Sequence, residues 1–574
     1  VTAEQTTKLK SLQRLAQTVG GGLLCGLGFG FVMSLASNGF VFGVQWLSTL
    51  RTSEIFDIFR LAGMPFSLGP LISLLIAAML VLLVRRLFGI QRWHGPADSI
   101  HAAHRTDNEL DVKAGFGSTL AAFISASGGA SVGQYGPLVH FGATMGSFIR
   151  RNTGGLLTTD IFIGCGVAGA ISAGFNAPIA GLVFAHEAVL RHFSMRAITP
   201  IAVASISAAW FSDQLFSRPV LFSVDTGDLD LATILPSAMV AGPLFGILAV
   251  LFMNAVRLSA RFAAKSGWSP ARLLFVAAGL TGVVGAVVPE VLGLGNGPIG
   301  LMLGDKFGVT YLGLLLVLKL SLTALCIGFG LFGGVFSPAL FVGAAGGAIG
   351  AKILSLLGMA SMSPALAICG MAAVGAAVIG APVAGILIIL ELTMSYEFAL
   401  AAMLSIVVSI MISNLLFGHS FFDRQLLDRG IDVSQGRGHI EMMEVGVEDV
   451  VEPAFARIEA GASAEEALAL LVRAEATEGY IVDADGGFLG KVSLHALLPR
   501  MASSMASAVA ESEPISIKHD ASLLQAIEVA SGFVGESIPV INRDTGEMLG
   551  IVTEADLFKL YLNLQTRISD LERT

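Results

Sequence analysis

The stretch GQYGPLVHFGATMG, Gly133 to Gly146, returns as GVFSPALFVGAAGG, Gly334 to Gly347. An offset of 201 carries Pro137 onto Pro338 and Tyr135 onto Phe336. Further along, CGVAGAISAGFNAPIAGLVFAHE from Cys165 matches CGMAAVGAAVIGAPVAGILIILE from Cys369. There an offset of 204 carries Pro178 onto Pro382 and Glu187 onto Glu391. The chain is therefore read as two related halves whose apolar segments are broken at matching places. That is the pattern of repeat-built transporters and channels, and the broken segments point to the substrate site. The sequence alone does not say whether the repeat is inverted.

The interruptions have a definite chemistry. Glycine lets the backbone come close to a ligand, and proline suits the first turn of a helix, where its missing N–H costs nothing. The unpaired N–H groups of that turn and the helix dipole together favour an anion. A site made of backbone rather than Lys or Arg binds weakly enough to let the ion leave. Packing of Gly-rich helices explains either motif taken singly; the pair, one per half, favours a shared anion.

Composition places these motifs in a membrane. Of 574 residues, 54% are hydrophobic and 13% charged, against about 25% charged in soluble domains. Charges are scarce from about Leu23 to Phe417 and frequent after Asp423. Apolar runs recur near 19–50, 63–88, 114–149, 161–188, 198–215, 232–258, 272–293, 309–357 and 364–417, and a span needs about 20 such residues. Broken backbone at membrane depth is tolerated where it lines a cavity or is buried in protein, which favours a transport path over a simple anchor. The basic segment KLKSLQR, Lys8 to Arg14, predicts a cytosolic N-terminus, and no cleavable leader is read. Nothing is basic enough to suggest nucleic acid. Cys25, Cys165, Cys326 and Cys369 lie in apolar segments without metal-ligand spacing and read as small buried hydrophobes. No nucleophile–base set or metal cluster argues for an enzyme.

After the apolar region a second repeat begins. LGKVSLHAL from Leu489 returns as LGIVTEADL from Leu549, each after a short apolar strand and an alanine-rich helix. That alternation predicts a pair of small α/β modules. The expected organisation is an all-α, multi-pass membrane domain with broken helices over residues 1–435, with repeats of about 60–215 and 235–420. A tandem α/β pair follows over 436–574, with copies of about 445–505 and 506–566.

These features together resemble the CLC chloride channels and transporters, over nearly the whole chain. GQYGPLV resembles that family's GREGPxV, GGVFSP its GxFxP, FNAPIAGLVFAHE the helix that follows, and the tail its tandem CBS domains. The resemblance implies an inverted repeat and a homodimer with one pore per subunit. It also implies chloride held where helix N-termini meet, and a plasma (inner) membrane location with the CBS pair in the cytosol. Carried onto this chain, the anion-binding and pore positions are Gly133, Gln134, Tyr135, Gly136, Gly334, Val335 and Phe336. Val335 and Phe336 would give backbone amides to the central anion, and Gln134, Tyr135 and Gly136 would surround an outer site.

Several family positions are altered. The gating glutamate is Tyr135, and its neighbouring arginine is Gln134. The proton-relaying glutamate is Ala188, and the late tyrosine is Phe422. The serine of the family's GSGIP motif falls at Gly95 or Pro96, with Ser99 a few residues away. A phenol is neutral near pH 7 and competes poorly as an anion, and alanine relays no proton. Tyr135 either donates a hydrogen bond to the anion, packs as a plug, or points away from the path. Glu187 and Glu391, intramembrane acids at equivalent repeat positions, are expected to hold helix ends. In the tail, Thr553 and Asp556 resemble CBS contacts to an adenine nucleotide; the first copy has Ser493 but Ala496 in place of the aspartate. No other cofactor is expected. The leading expectation is a passive chloride channel without proton coupling. The alternatives are an antiporter with a rerouted proton path through His140, His186 or Glu187, and an anion transporter regulated by nucleotide at the CBS pair.

Overall fold

A computed structural model describes residues 3–51, 57–61, 64–105, 108–153, 157–216, 231–356, 362–500, 504–511 and 514–573. The side chains of Lys8, Lys10 and Arg14, on which the sidedness reading rests, lie outside the described residues. The chain divides into two compact units at Gly430 and Ile431.

The first unit begins with α1 (Ala3–Arg51) and a hairpin of β1 (Asp57–Leu61) and β2 (Met64–Ser67). Helices then follow one another: α2 (Gly69–Phe88), α3 (Pro96–His104), α4 (Val112–Gly128), α5 (Tyr135–Thr153), α6 (Thr159–Phe175), α7 (Pro178–Phe184) and α8 (Met195–Phe216). The second half runs α9 (Leu231–Lys265), α10 (Pro270–Val287), α11 (Asn296–Leu303), α12 (Val309–Phe329), α13 (Phe336–Leu356), α14 (Ser363–Ile379), α15 (Pro382–Thr393) and α16 (Tyr396–Leu416), then α17 (Phe421–Leu427). Among the described residues, 7 helices are long and apolar enough to cross a membrane.

The repeat is present in the packing as well as in the letters. In the first half α1 packs on α4, α6 and α8, α2 packs on α4, and α4 to α8 are successive neighbours. In the second half α9 packs on α12, α14 and α16, α10 packs on α12, and α12 to α16 are successive neighbours. The repeat thus takes in α1, upstream of the expected start near residue 60. α1 and α9 share no motif, so only their packing reveals them as counterparts. Counterparts also meet each other: α2 touches α10, α5 touches α13, and α7 touches α15, as an internal two-fold axis requires.

Local backbone repeats too. The break after α4 is made by Gly129 at φ 102, ψ 10, and the break after α12 by Gly330 at φ 102, ψ 6. Only glycine takes this conformation without strain. Ala177 and Ala381, which precede the prolines opening α7 and α15, share φ near −130 (−131 and −129). Small residues let the broken helices approach closely. On α5 and α6, a methyl group at Gly166 would overlap the Gly142 carbonyl; on α13 and α14, one at Gly370 would overlap the Gly343 carbonyl.

The second unit starts with α18 (Arg437–Glu444) and holds two α/β copies. The first is β3 (Arg457–Glu459), α19 (Ala464–Arg473), β4 (Glu478–Val482), β5 (Phe488–Ser493) and α20 (Leu494–Leu497). The second is β6 (Ile517–Lys518), α21 (Leu523–Ala530), β7 (Ile538–Ile541), β8 (Met548–Val552) and α22 (Glu554–Arg573). Each sheet pairs its first two strands parallel and its last two antiparallel. Each has its own core, around Ile458, Leu471 and Ile481 in one and Ile517, Leu523 and Val540 in the other. The Tyr480 hydroxyl donates to the Ser537 carbonyl at 2.9 Å and joins the copies. Capping boxes open both main helices, Ser463 with Glu466 and Ser522 with Gln525. Ser463→Ala is expected to destabilise the first copy by about 1 kcal/mol, read as a lower midpoint in urea unfolding of the tail's β signal while anion flux stays unchanged.

Candidate anion site at the meeting of two helix N-termini

The two motifs GQYGP and GGVFSP face each other. The Gly133 N–H donates to the Gly334 carbonyl at 2.7 Å, and the Gly334 N–H donates to the Gly133 carbonyl at 2.6 Å, in an antiparallel bridge. α5 and α13 therefore begin beside one another and leave in opposite directions. The bridge uses the amides of Gly133 and Gly334 on each other, so these two residues hold the turns together and do not offer an N–H to a ligand. The amides of Gly136, Phe336 and Ser337 lie in first helical turns, where no carbonyl four residues back can take them. Val335 stands just before α13, and its carbonyl accepts from Ala339 N–H at 3.0 Å.

Three rings cover this junction. Tyr135 stacks on Phe175 with centroids 3.6 Å apart and planes 12° from parallel. Phe336 meets Tyr135 edge-on at 5.8 Å and Phe175 edge-on at 5.6 Å. Tyr135 and Phe336 are repeat counterparts, so they meet by the same internal symmetry as their helices. Tyr135 is 2% exposed, and its hydroxyl is buried. Phe175 was not singled out from the sequence: its counterpart is Ile379, and nothing in the letters marks the last residue of α6.

Polar atoms complete the junction. Gln134 is buried, and its Oε1 has no hydrogen-bond partner among the described residues. Ser337 is likewise buried with an unpartnered Oγ, which lies against Gly133. Ser337 went unnoticed as a hydroxyl inside GGVFSP. Buried polar atoms normally find partners, so a small polar or ionic guest suits this place.

α3 closes one side. Pro96 packs on Gly136. Gly95 N–H, however, donates to Asp98 Oδ2 at 2.9 Å, and Pro96 has no N–H, so neither supplies a donor in place of the family's serine. Ser99 does not replace it either: its Oγ pairs with His140 Nδ1 at 2.8 Å. Asp98 in turn accepts from Arg92 at 2.6 Å and Arg429 at 2.9 Å. The Trp93 ring N–H donates to the Gly330 carbonyl at 3.0 Å and fixes α3 to the second repeat's turn. Phe422 is buried at the start of α17 and meets Phe421 edge-on at 5.9 Å; it makes no ring contact with the Tyr135 cluster among the described residues.

The two intramembrane glutamates exchange helices. Glu187 accepts from Val383 N–H at 2.9 Å and Ala384 N–H at 2.7 Å, at the start of α15. Glu391 accepts from Ile179 N–H at 2.9 Å and Ala180 N–H at 2.8 Å, at the start of α7. Each carboxylate caps the counterpart of its own helix, so α7 and α15 run antiparallel and the repeat is inverted. Lys319, a lone cation in an apolar run, is fully buried. It donates to the Val291 and Gly293 carbonyls at 3.0 and 2.9 Å and faces the Phe341 ring at 5.1 Å. A lysine inside LLLVLKLSL is itself a visible signal, and the sequence reading passed over it. His186 bonds the His192 carbonyl through Nδ1 at 2.8 Å, so His140, His186 and Glu187 each hold a separate local partner.

In the tail, Thr553 and Asp556 bind one another. Thr553 Oγ1 donates to Asp556 Oδ2 at 2.6 Å, and Asp556 N–H donates to Thr553 Oγ1 at 3.1 Å. This caps α22; a nucleotide there would have to replace these bonds. Ser493 caps α20 through Ala496 N–H at 3.3 Å.

Comparison with known proteins agrees with this geometry. The family model described as "Voltage gated chloride channel" matches residues 74–414, and that of the CBS domain matches residues 506–563. The H(+)/Cl(-) exchange transporter ClcA of Vibrio parahaemolyticus is 29% identical over 68% of this chain and 85% of its own length. A putative chloride channel protein, ClcB-like, of Ralstonia nicotianae is 28% identical over 58% of this chain and 79% of its own. A crystal structure of a eukaryotic CLC transporter superposes with TM-score 0.60 at 20% identity, over 96% of this chain and 98% of that one. A slow cyanobacterial Cl-/H+ antiporter superposes with TM-score 0.62 at 21% identity, over 71% of this chain and 97% of that one. With its inverted repeat of broken helices and its C-terminal CBS region, this membrane-spanning chain belongs to the voltage-gated chloride channel (CLC) family of anion channels and transporters.

Proposed function

We propose that the chain is a passive channel for chloride or a similar small anion, uncoupled from protons, that works as a homodimer with one pore per subunit in the plasma (inner) membrane with the CBS pair in the cytosol. The relatives include both channels and exchangers, so their names do not choose between the two. One observation carries the choice: the residue at the head of α5, where the motifs meet, is a neutral phenol inside an aromatic cluster. Exchange needs a group there that can be an anion and then take a proton. Ala188, on the π-helical turn Ala185–Leu190 after α7, removes the second proton group. CLC proteins move ions and do not make or break covalent bonds, so no catalytic residue is assigned.

The test is flux in liposomes holding the purified protein, with a proton gradient imposed and no chloride gradient. Chloride should not move uphill, and its passive flux should exceed ~10³ ions per second, the upper end of ordinary turnover. Uphill chloride movement would overturn the channel reading and revive a rerouted antiporter.

A further inference from the structure

A second site lies away from the pore, in a groove between α1, α2 and α4. It encloses about 400 Å³, and its walls are almost wholly apolar, with Leu50, Ile76, Leu80 and Phe123 among them. Leu50 is 52% exposed and Ile76 49%. Both stand on membrane-length helices, so the groove opens toward hydrocarbon.

Part of the lining of this groove is polar. Arg51, the last residue of α1, lines it. Its Nε and Nη1 are buried and have no hydrogen-bond or ion-pair partner among the described residues. Ser127 lines the groove too; it is 8% exposed, and its Oγ is also unpartnered. A guanidinium without an acceptor in an apolar surrounding is costly. Two other cations of this unit show what such a group takes when it is satisfied: Lys319 has two carbonyls, and Arg429 has Asp98. The missing group at Arg51 is therefore an anion, and the fork of the guanidinium fits phosphate oxygens. The apolar walls ask for hydrocarbon joined to that anion.

We propose that this groove binds an anionic phospholipid, with its phosphodiester on Arg51 and Ser127 and an acyl chain along Ile76, Leu80 and Phe123. The site is placed to act on the pore. The Arg51 guanidinium lies against Gly129, the residue that ends α4 and begins the turn leading to Gly133. The Gly129 carbonyl accepts from Gly293 N–H at 3.1 Å, and the Gly293 carbonyl accepts from Lys319 at 2.9 Å. A headgroup on Arg51 thus bears on the segment that positions the first motif.

Native mass spectrometry of the delipidated full-length protein, titrated with POPG or POPC, tests this. The wild type should retain POPG about tenfold better than POPC, the worth of one charge-assisted contact. Arg51→Gln should remove the preference, and Arg51→Lys should keep part of it. Leu80→Trp leaves the charge in place and fills the groove; it should also lower POPG retention, and it keeps the proposal testable if Arg51→Gln does not fold. Equal retention of both lipids by the wild type would overturn the proposal. So would unchanged POPG retention in Leu80→Trp, or displacement of POPG by inorganic phosphate alone, which would mark a free-anion site.

Discussion

Tyr135→Ala is expected to raise passive anion flux at least about tenfold, equivalent to lowering the barrier by about 1.4 kcal/mol, with proton flux still absent. Tyr135 stacks on Phe175 and meets Phe336 edge-on beside the two helix starts. Its removal leaves a gap where the stacked ring narrows the way to the amides. Liposome flux with a chloride gradient checks this, and an unchanged rate would show that the ring stands off the path. Tyr135→Phe separates size from chemistry. It keeps the ring stack and removes the hydroxyl, so a donor role predicts weaker anion binding by ~0.5–1.5 kcal/mol, or roughly two- to tenfold. Unchanged conductance and selectivity in that variant would remove the donor role and leave the plug. Tyr135→Glu should behave in the opposite sense to wild type with pH. Its carboxylate competes with the anion when ionised and withdraws when protonated, so flux should rise as pH falls through the carboxylate range, whereas wild type gains no such gate.

Glu187→Ala and Glu391→Ala are each expected to destabilise the membrane domain by about 2–4 kcal/mol, because each leaves two amide donors without acceptors in an apolar setting. The matched geometry, 2.7–2.9 Å on one side and 2.8–2.9 Å on the other, makes the two losses similar. The double variant should lose folded protein altogether, since the helices that cap each other form one contact between the halves. Thermal melting in detergent, with Glu→Gln variants as milder controls that keep one acceptor oxygen, reads the effect. The same variants test the antiporter alternative. A proton relay at Glu187 predicts that Glu187→Gln abolishes coupling with little change in Tm. A cap predicts a lower Tm and flux that stays uncoupled throughout. If Glu187→Ala melted like wild type, the reciprocal cap would carry no stability.

Much of the site was legible because its key residues are punctuation. Gly133 and Gly334, Pro137 and Pro338, and the Tyr135–Phe336 pair share one offset, and glycine and proline report backbone geometry directly. The matching breaks at Gly129 and Gly330 follow from the same signal. What the letters could not show was partnership. Phe175 joins Tyr135 from another helix, Ser99 pairs with His140, and Gly95 is already taken by Asp98. Each of these depends on which surface a side chain meets, and local spacing carries no information about that. α1 was missed as a repeat member for the same reason: apolar helices facing lipid need hydrophobicity, not particular residues, and counterparts can diverge until only their packing agrees.

By itself the sequence determined that this is a membrane chain of two like halves with broken helices, ending in paired α/β modules. Those features are written in period, composition and the placement of glycine and proline, all of which act locally. Only the tertiary structure decided that the halves are inverted, through carboxylates that reach across to cap each other's helices. Only it decided that Gly133 and Gly334 give their amides to one another, and that the neutral phenol in GQYGPLV lies in a stack of rings over the join. The bridge and the reciprocal caps join segments about 200 residues apart, and the ring stack joins two helices about 40 residues apart. They arise because buried polar groups in an apolar medium must find partners inside the fold, and the chain order does not say which.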